Sequence, residues 1–307
     1  MKIFKAGAYV MWKNFKGTAM LLLTAMIWGG AFVAQSEGMN HLGPFTFQAL
    51  RQVLGFLVLL PVIFIQKKNR PKATKQETKK LLLCALACGA ILFVACSLQQ
   101  LGISMGISAG KSGFITALYI VLVPIAGTIL GKKPGINVWI AMVIAFVGLY
   151  FLCMDGSWSI GIGELLTLGC ALFFTAHIVF VDRVCGDVDG VKLSALQFLV
   201  CGLLSVPYML FTESVSAKNI AECWLPIAYA GVLSCGVAYT LQIIAQKITD
   251  PTVASITMSM ESVFAVLFGW VLLRQQLGNR EILGCVLMFC AVLLAQIPLR
   301  KRAKATL

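Results

Sequence analysis

The sequence predicts an all-α polytopic membrane protein, with ten transmembrane helices arranged as two inverted-topology five-helix repeats, and three observations carry that prediction. Of 307 residues, 59% are hydrophobic and 12% charged, whereas a soluble domain has about 25% charged residues. The apolar residues gather in ten runs, each close to the roughly 20 residues needed to cross a hydrocarbon core. The two halves of the chain also match when one is slid along the other.

The ten runs are 17–37, 44–66, 79–101, 107–130, 136–154, 161–183, 193–212, 223–246, 251–273 and 281–298. Backbone groups in lipid must find hydrogen bonds within their own segment, and the runs are too long for barrel strands, so they are helices. Residues 17–154 form a first five-helix repeat and 161–298 a second, flanked by a basic arm at 1–16 and a basic tail at 299–307. Leu21 to Ala34 has the apolar look of a signal peptide but belongs to a full-length span, and is expected to be retained.

Orientation follows from the cations. With the N-terminus inside, the cytoplasmic segments hold Lys2, Lys5, Lys13 and Lys16, the run KKNRPKATKQETKK at 67–80, Lys132, Lys133, Arg183, Lys192, Lys247 and the tail from Arg300. The opposite loops hold Lys218, Arg274 and Arg280, so both termini are expected in the cytoplasm. The basic clusters read as topological anchors rather than sites for particular lipids. The net charge of +13 would raise nucleic acid in a soluble protein; here the cations occupy short gaps, without a basic face interleaved with stacking aromatics. No nucleic-acid partner is expected.

The eleven cysteines lie mostly within the predicted helices, where free cysteine acts as a small hydrophobe. Cys84 and Cys88, one turn apart, could meet a soft metal. With His41 and His177 as the chain's two histidines and no repeated CxxC, no metal and no cofactor are expected.

A shift of 146 residues places Gly17 on Gly163, Trp28 on Phe174, Arg51 on Gln197 and Pro61 on Pro207, and a shift of 143 places Leu98-Gln99 on Leu241-Gln242. Five helices per half means the second half enters the membrane from the opposite side. Such repeats favour a carrier with a site between the halves near the midplane.

The candidate site residues are the polar and aromatic groups inside the spans. Glu261, in MSMESVFAVLFGWVLL, lies about ten residues into its helix, or roughly 15 Å deep at 1.5 Å per residue. A carboxyl there either meets substrate or a proton, or pins packing as a neutral hydrogen-bonded group. Arg51 is its natural counter-charge, two turns into the second helix beside Gln48 and Gln52; it either holds a substrate carboxylate or snorkels to the interface. Lys111 lies in GISAGKSG, which misses the P-loop spacing by one and follows no strand, so ATP hydrolysis is not expected. The small residues Ser108, Ala109, Gly110, Ser112 and Gly113 suit close helix approach, and Lys111 with the helix-start amides would favour an anion unless the lysine snorkels. Gln99 and Gln242, at matching repeat positions, are either interhelical glue or ligands for a zwitterion. His177, Trp28, Tyr119 and Tyr239 complete the set, each a packing residue or part of a cavity wall.

AMIWGGAFVAQ at 25–35, FQALRQVLGFLV at 47–58, GFITALYIVLVPIAGTILGKKP at 113–134 and ESVFAVLFGWVLL at 261–273 resemble stretches of EamA-type transporters of the drug/metabolite transporter superfamily, in order and over nearly the whole chain. The chain departs from that pattern at Ser262, where a proline is usual, and at Gly131-Lys132 and Arg274-Gln275, where Gly-Glu is common. The resemblance implies a secondary active carrier of the plasma (inner) membrane that exports amino acids or related small metabolites. The expected partners are a small amphipathic metabolite and membrane lipid, as monomer or homodimer. An uptake carrier or a broad drug exporter of the same fold is the alternative. An intramembrane enzyme is not expected, because no HExxH, intramembrane Asp pair or G-x-S-x-G is present. A channel is also disfavoured, since one buried carboxylate does not make a selectivity filter.

Overall fold

The computed structural model describes residues 2–67, 73–107, 109–153, 161–273 and 278–297. Ser108, Arg274, Gln275, the basic positions 68–72 and the tail at 299–307 lie outside them. Every regular element among the described residues is helical. Helix α1 runs from Lys2 to Gly38, so the basic arm continues directly into the first span; α2 is Pro44–Lys67 and α3 is Lys75–Ser104. The fourth apolar run is two helices, α4 (Ala109–Thr116) and α5 (Tyr119–Ile129), followed by α6 (Ile136–Cys153). The second half repeats the plan with α7 (Ile162–Val184), α8 (Gly190–Thr212) and a short α9 (Ala217–Glu222). Its eighth run is α10 (Trp224–Ala228), a π-helix over Tyr229–Tyr239 and α11 (Thr240–Gln246). The ninth is broken like the fourth, into α12 (Pro251–Met258) and α13 (Glu261–Leu273), and α14 (Asn279–Gln296) closes the fold.

Among the described residues nine helical stretches are long and apolar enough to cross a membrane, and Ile136–Leu152 is apolar but shorter. Local sequence sets the helix starts. Thr74 accepts from the Glu77 amide while the Glu77 carboxylate accepts from the Thr74 amide, a reciprocal cap at the start of α3. Asp189 and Asp250 cap α8 and α12 by accepting from the amides of Val191 and Thr252. Large apolar side chains such as Leu82, Leu86, Phe211 and Val271 remain exposed on the outside of the bundle, as lipid-facing positions require.

The halves interlock rather than sit side by side: α2 packs on α8, α3 on α7 and α8, α6 on α14, and α1 on α13. Small residues set two of these crossings. Where α6 meets α14, a Cβ on Gly284 would lie 2.8 Å from the Gly148 carbonyl, so this pair of glycines lets the two backbones touch. Where α1 meets α13, a Cβ on Gly29 would lie 2.7 Å from the Ala265 amide nitrogen and 2.8 Å from the Glu261 carbonyl. That contact brings α1 directly against the start of α13. By contrast, a Cβ on Gly113, one of the small residues flanking Lys111, would come no closer than 3.8 Å to Ser262 Oγ, so the tightest approach lies elsewhere.

Candidate functional site: a cavity between the repeats

Both broken helices break beside the same space. The second half of one begins at Tyr119 and of the other at Glu261, and neither break holds proline or glycine: the linking residues are Ala117-Leu118 and Ser259-Met260. Discontinuous helices placed alike in two repeats are how carriers expose polar groups at mid-membrane. Here they frame a small cavity of about 40 Å³.

Its wall is built in matching pieces. From α1 come Trp28, Ala31, Phe32 and Gln35, the i, i+3, i+4 and i+7 positions of one helix face; α7 supplies Phe174 and Ile178, the repeat counterparts of Trp28 and Phe32. Gln99 and its counterpart Gln242 enter from α3 and α11, and Tyr119 and Glu261 from α5 and α13. Thr116, Met258, Ser234 and Tyr239 fill the remaining wall, the last two from the π-helix, whose wider turn disturbs the ordinary side-chain register. Arg51 enters from α2.

Of the nine side chains nominated from sequence, seven line this cavity: Trp28, Arg51, Gln99, Tyr119, Tyr239, Gln242 and Glu261. Two do not. Lys111 pairs with Glu164 at 2.6 Å, joining α4 to α7, so the expected anion site at this lysine is replaced by an ion pair within the protein. His177 is fully buried behind the wall: its Nε2 lies 3.0 Å from Gln197 Oε1, and its ring meets that of Tyr239 edge-on at 6.4 Å. Sequence reasoning passed over Gln35, Thr116, Ser234, Phe32, Phe174 and Met258. Phe174 alone had a signal, as the repeat partner of Trp28.

Glu261 is 4% exposed, and Tyr119 Oη donates to its Oε1 at 3.0 Å. Arg51 is equally buried at 4%, so it does not snorkel; its Nη1 donates to Gln35 Oε1 at 3.0 Å. The expected ion pair between Arg51 and Glu261 is absent. Both side chains line one cavity, and each is held by a neutral partner. Gln99 donates from α3 to Thr116 Oγ1 on α4 at 3.1 Å, while Gln242 Oε1 and Trp28 Nε1 have no hydrogen-bond partner among the described residues. The Trp28 and Tyr239 rings meet edge-on at 4.7 Å. This wall offers hydrogen-bond donors, acceptors and aromatic faces, the mixture that small-molecule sites use.

The thiols form no comparable site. Cys88 Sγ lies 4.0 Å from Cys185 Sγ, and no group of three or more His, Cys, Asp or Glu side chains that could hold a metal ion is found among the described residues.

Comparison with known proteins agrees with this architecture. The EamA-like transporter family matches residues 15–154 and again 161–296, which are the two repeats. An uncharacterized transporter of Archaeoglobus fulgidus is 29% identical over 90% of this chain and 84% of its own length. The threonine/homoserine exporter RhtA of Escherichia coli is 25% identical over 93% of this chain and 92% of its own length, and its Salmonella typhimurium counterpart is 26% identical over 91% and 89%. A crystal structure with 16% sequence identity superposes with a TM-score of 0.75, covering 91% of this chain and 96% of that one, and so shares the fold. With two matched repeats spanning almost its whole length, this multi-pass membrane protein belongs to the EamA-like transporter family.

Proposed function

We propose that this transporter is a secondary active exporter of small amphipathic metabolites, amino acids or their close relatives, working by alternating access with both termini in the cytoplasm. The observation that carries the reading is the cavity, lined by Arg51 and Gln99 from one repeat and by Gln242 and Glu261 from the other, together with the aromatic rings of Trp28, Phe174 and Tyr239. A guanidinium and a carboxyl group in a small, buried space match a zwitterion, whose two charged groups would be desolvated together. The names of the RhtA relatives support the same substrate class.

Alternating access needs a site that both repeats complete and that either can uncover. Trp28 with Phe174, Phe32 with Ile178, and Gln99 with Gln242 are contributed by equivalent positions, so rocking one repeat against the other would open the cavity to one side or the other while leaving each half-wall intact. The test is the profile of amino acids and small metabolites released by cells expressing wild type, Glu261→Gln or empty vector, at matched membrane abundance. Release of a defined compound by wild type and its loss in the variant is the expected result; coinciding profiles for all three would sink the export reading.

A further inference from the structure

One feature of the cavity breaks the symmetry of the repeats. The counterparts of Gln35 and Arg51 at the 146-residue shift are Val181 and Gln197; Val181 belongs to an apolar cluster, and Gln197 contacts His177. The polar end of whatever occupies the cavity therefore has a preferred side.

Gln35 fixes how Arg51 is presented there. Its Nε2 donates to the Ala31 carbonyl of its own helix at 3.3 Å, which commits its Oε1 to Arg51 Nη1 at 3.0 Å. Nε and Nη2 of Arg51 are buried without a hydrogen-bond partner among the described residues. These two nitrogens form one edge of the guanidinium plane, with parallel N–H bonds at the spacing of the two oxygens of a carboxylate. Among the described residues no carboxylate pairs with Arg51, and the Phe47 ring lies 5.8 Å from the guanidinium carbon, a cation–π contact that leaves the fork open. A buried arginine kept for structure alone would be expected to have its fork filled, because a desolvated, unmatched charge is costly.

We infer that the Nε–Nη2 edge of Arg51, held in place by Gln35, is a carboxylate-recognition site, so that the transporter takes cargo with a free carboxylate and rejects the same molecule when that group is an amide. The inference rests on the central cavity being the cargo site. A phosphate would fit the fork, but it would bring a second negative charge beside Glu261, and among the described residues no other cation lines the cavity, Lys111 being paired with Glu164. Gln35 is a positioning residue in this scheme and Arg51 the binding group.

The experiment is counterflow in vesicles containing the purified full chain, with the proteinogenic L-amino acids and their α-carboxamides as paired probes. Wild type is expected to exchange at least one acid with KM about tenfold or more below that of its amide, since charge-assisted fork contacts are lost in the amide. Arg51→Lys keeps the charge but removes the fork and is expected to abolish that preference. Gln35→Met keeps the volume and removes the acceptor; it should raise KM for the acid with little change in maximal rate, a split that general misfolding would not give. Equal handling of acid and amide by wild type, or full preference in Arg51→Lys, overturns the carboxylate site while leaving the cavity as cargo site intact. Exchange of neither probe above empty vesicles overturns both. If Arg51→Lys is not monodisperse, the wild-type preference and the Gln35→Met kinetics decide.

Discussion

Tyr119 donates its hydroxyl hydrogen to Glu261 Oε1 at 3.0 Å across the seam between the two repeats, and the two residues hold equivalent places: each begins the second half of a broken helix. The two breaks thus meet through one hydrogen bond inside the cavity wall. Tyr119→Phe removes the donor with little change in shape. A typical hydrogen bond contributes about 0.5–1.5 kcal/mol, so transport is expected to fall by roughly two- to tenfold at unchanged membrane abundance. Because Glu261→Gln disturbs the same bond, the double variant should lose much less than the product of the single losses. Multiplicative losses in the flux assay would mean that the pair does not act as a unit.

The contact that presses α1 on α13 leads to a packing test. Gly29→Ala would place a methyl 2.7 Å from the Ala265 amide nitrogen and Phe264 Cβ, and 2.8 Å from the Glu261 carbonyl, with backbone on two sides that cannot yield easily. Overpacking of this kind costs about 1–3 kcal/mol, so a clear drop in thermal stability in detergent is expected, together with reduced transport. Gly127→Ala is the control: the nearest atom to a Cβ there is 3.8 Å away, on Lys132, and replacing a helical glycine favours the folded state by up to about 1 kcal/mol. Equal melting temperatures for the two variants would contradict this packing.

How far the sequence disclosed all this depends on the kind of signal. The membrane class follows from composition, and Arg51, Gln99, Gln242 and Glu261 follow from the cost of polar groups in apolar runs, because desolvation marks such residues whatever their neighbours. Gln35 escaped notice because it sits near the polar end of its helix, where a glutamine is unremarkable; its role exists only through Arg51, sixteen positions away. The pairing of Lys111 with Glu164 joins residues 53 positions apart in sequence, and no local pattern reports it. The breaks at 117–118 and 259–260 lack the proline or glycine that would announce them, so tertiary packing fixes them. The repeat offset, weak as sequence, pairs three positions of the wall, Trp28 with Phe174, Phe32 with Ile178 and Gln99 with Gln242, and fails for Gln35 and Arg51.

The Lys111–Glu164 pair should behave as a structural link between repeats rather than as a cargo contact. The side chains are 17% and 16% exposed, between the surface case, worth at most about 1 kcal/mol, and the fully buried case, where breaking one partner costs about 3–5 kcal/mol. Lys111→Met and Glu164→Gln are each expected to lower the melting temperature, and the exchanged pair Lys111→Glu with Glu164→Lys should recover most of the loss. Melting curves of purified single and exchanged variants test this. Failure of the exchange to recover stability would show that geometry, not charge pairing, holds these helices.

Asp187 gives a pH test outside the spans. Its carboxylate accepts from Lys80 Nζ at 2.7 and 2.8 Å, and this hydrogen bond holds its pKa below the ordinary 3.8. A carboxylate whose folded pKa is depressed adds stability that is fully present above its unfolded value and lost as pH falls through the folded one. The contribution should be constant near neutrality and fade below about pH 4. Because the pair is exposed, it should also weaken with salt. The comparison is thermal stability of wild type and Asp187→Asn across pH: the gap between them should narrow on acidification, and a gap that widens would reverse the assignment.

The start of α2 depends on a residue from the other repeat. Glu213, just past the end of α8, accepts from the amides of Phe45 and Thr46 at 2.8 Å each and from Thr46 Oγ1 at 2.7 Å. These amides are donors that the first turn of a helix leaves unsatisfied, and the positive end of the helix dipole favours a carboxylate beside them. Sequence alone gave no hint, since Glu213 lies 168 residues from Phe45. α2 also carries Arg51, so loosening its first turn would disturb the cavity two turns further on. Glu213→Gln keeps one acceptor oxygen but loses the charge, and is expected to lower stability by about 1–2 kcal/mol; Glu213→Ala removes all three bonds and should cost more. The order Ala, then Gln, then wild type in melting temperature, with faster hydrogen exchange confined to the first turn of α2, is the expected result. Uniform exchange rates across the variants would show that the cap does not hold this end of the helix.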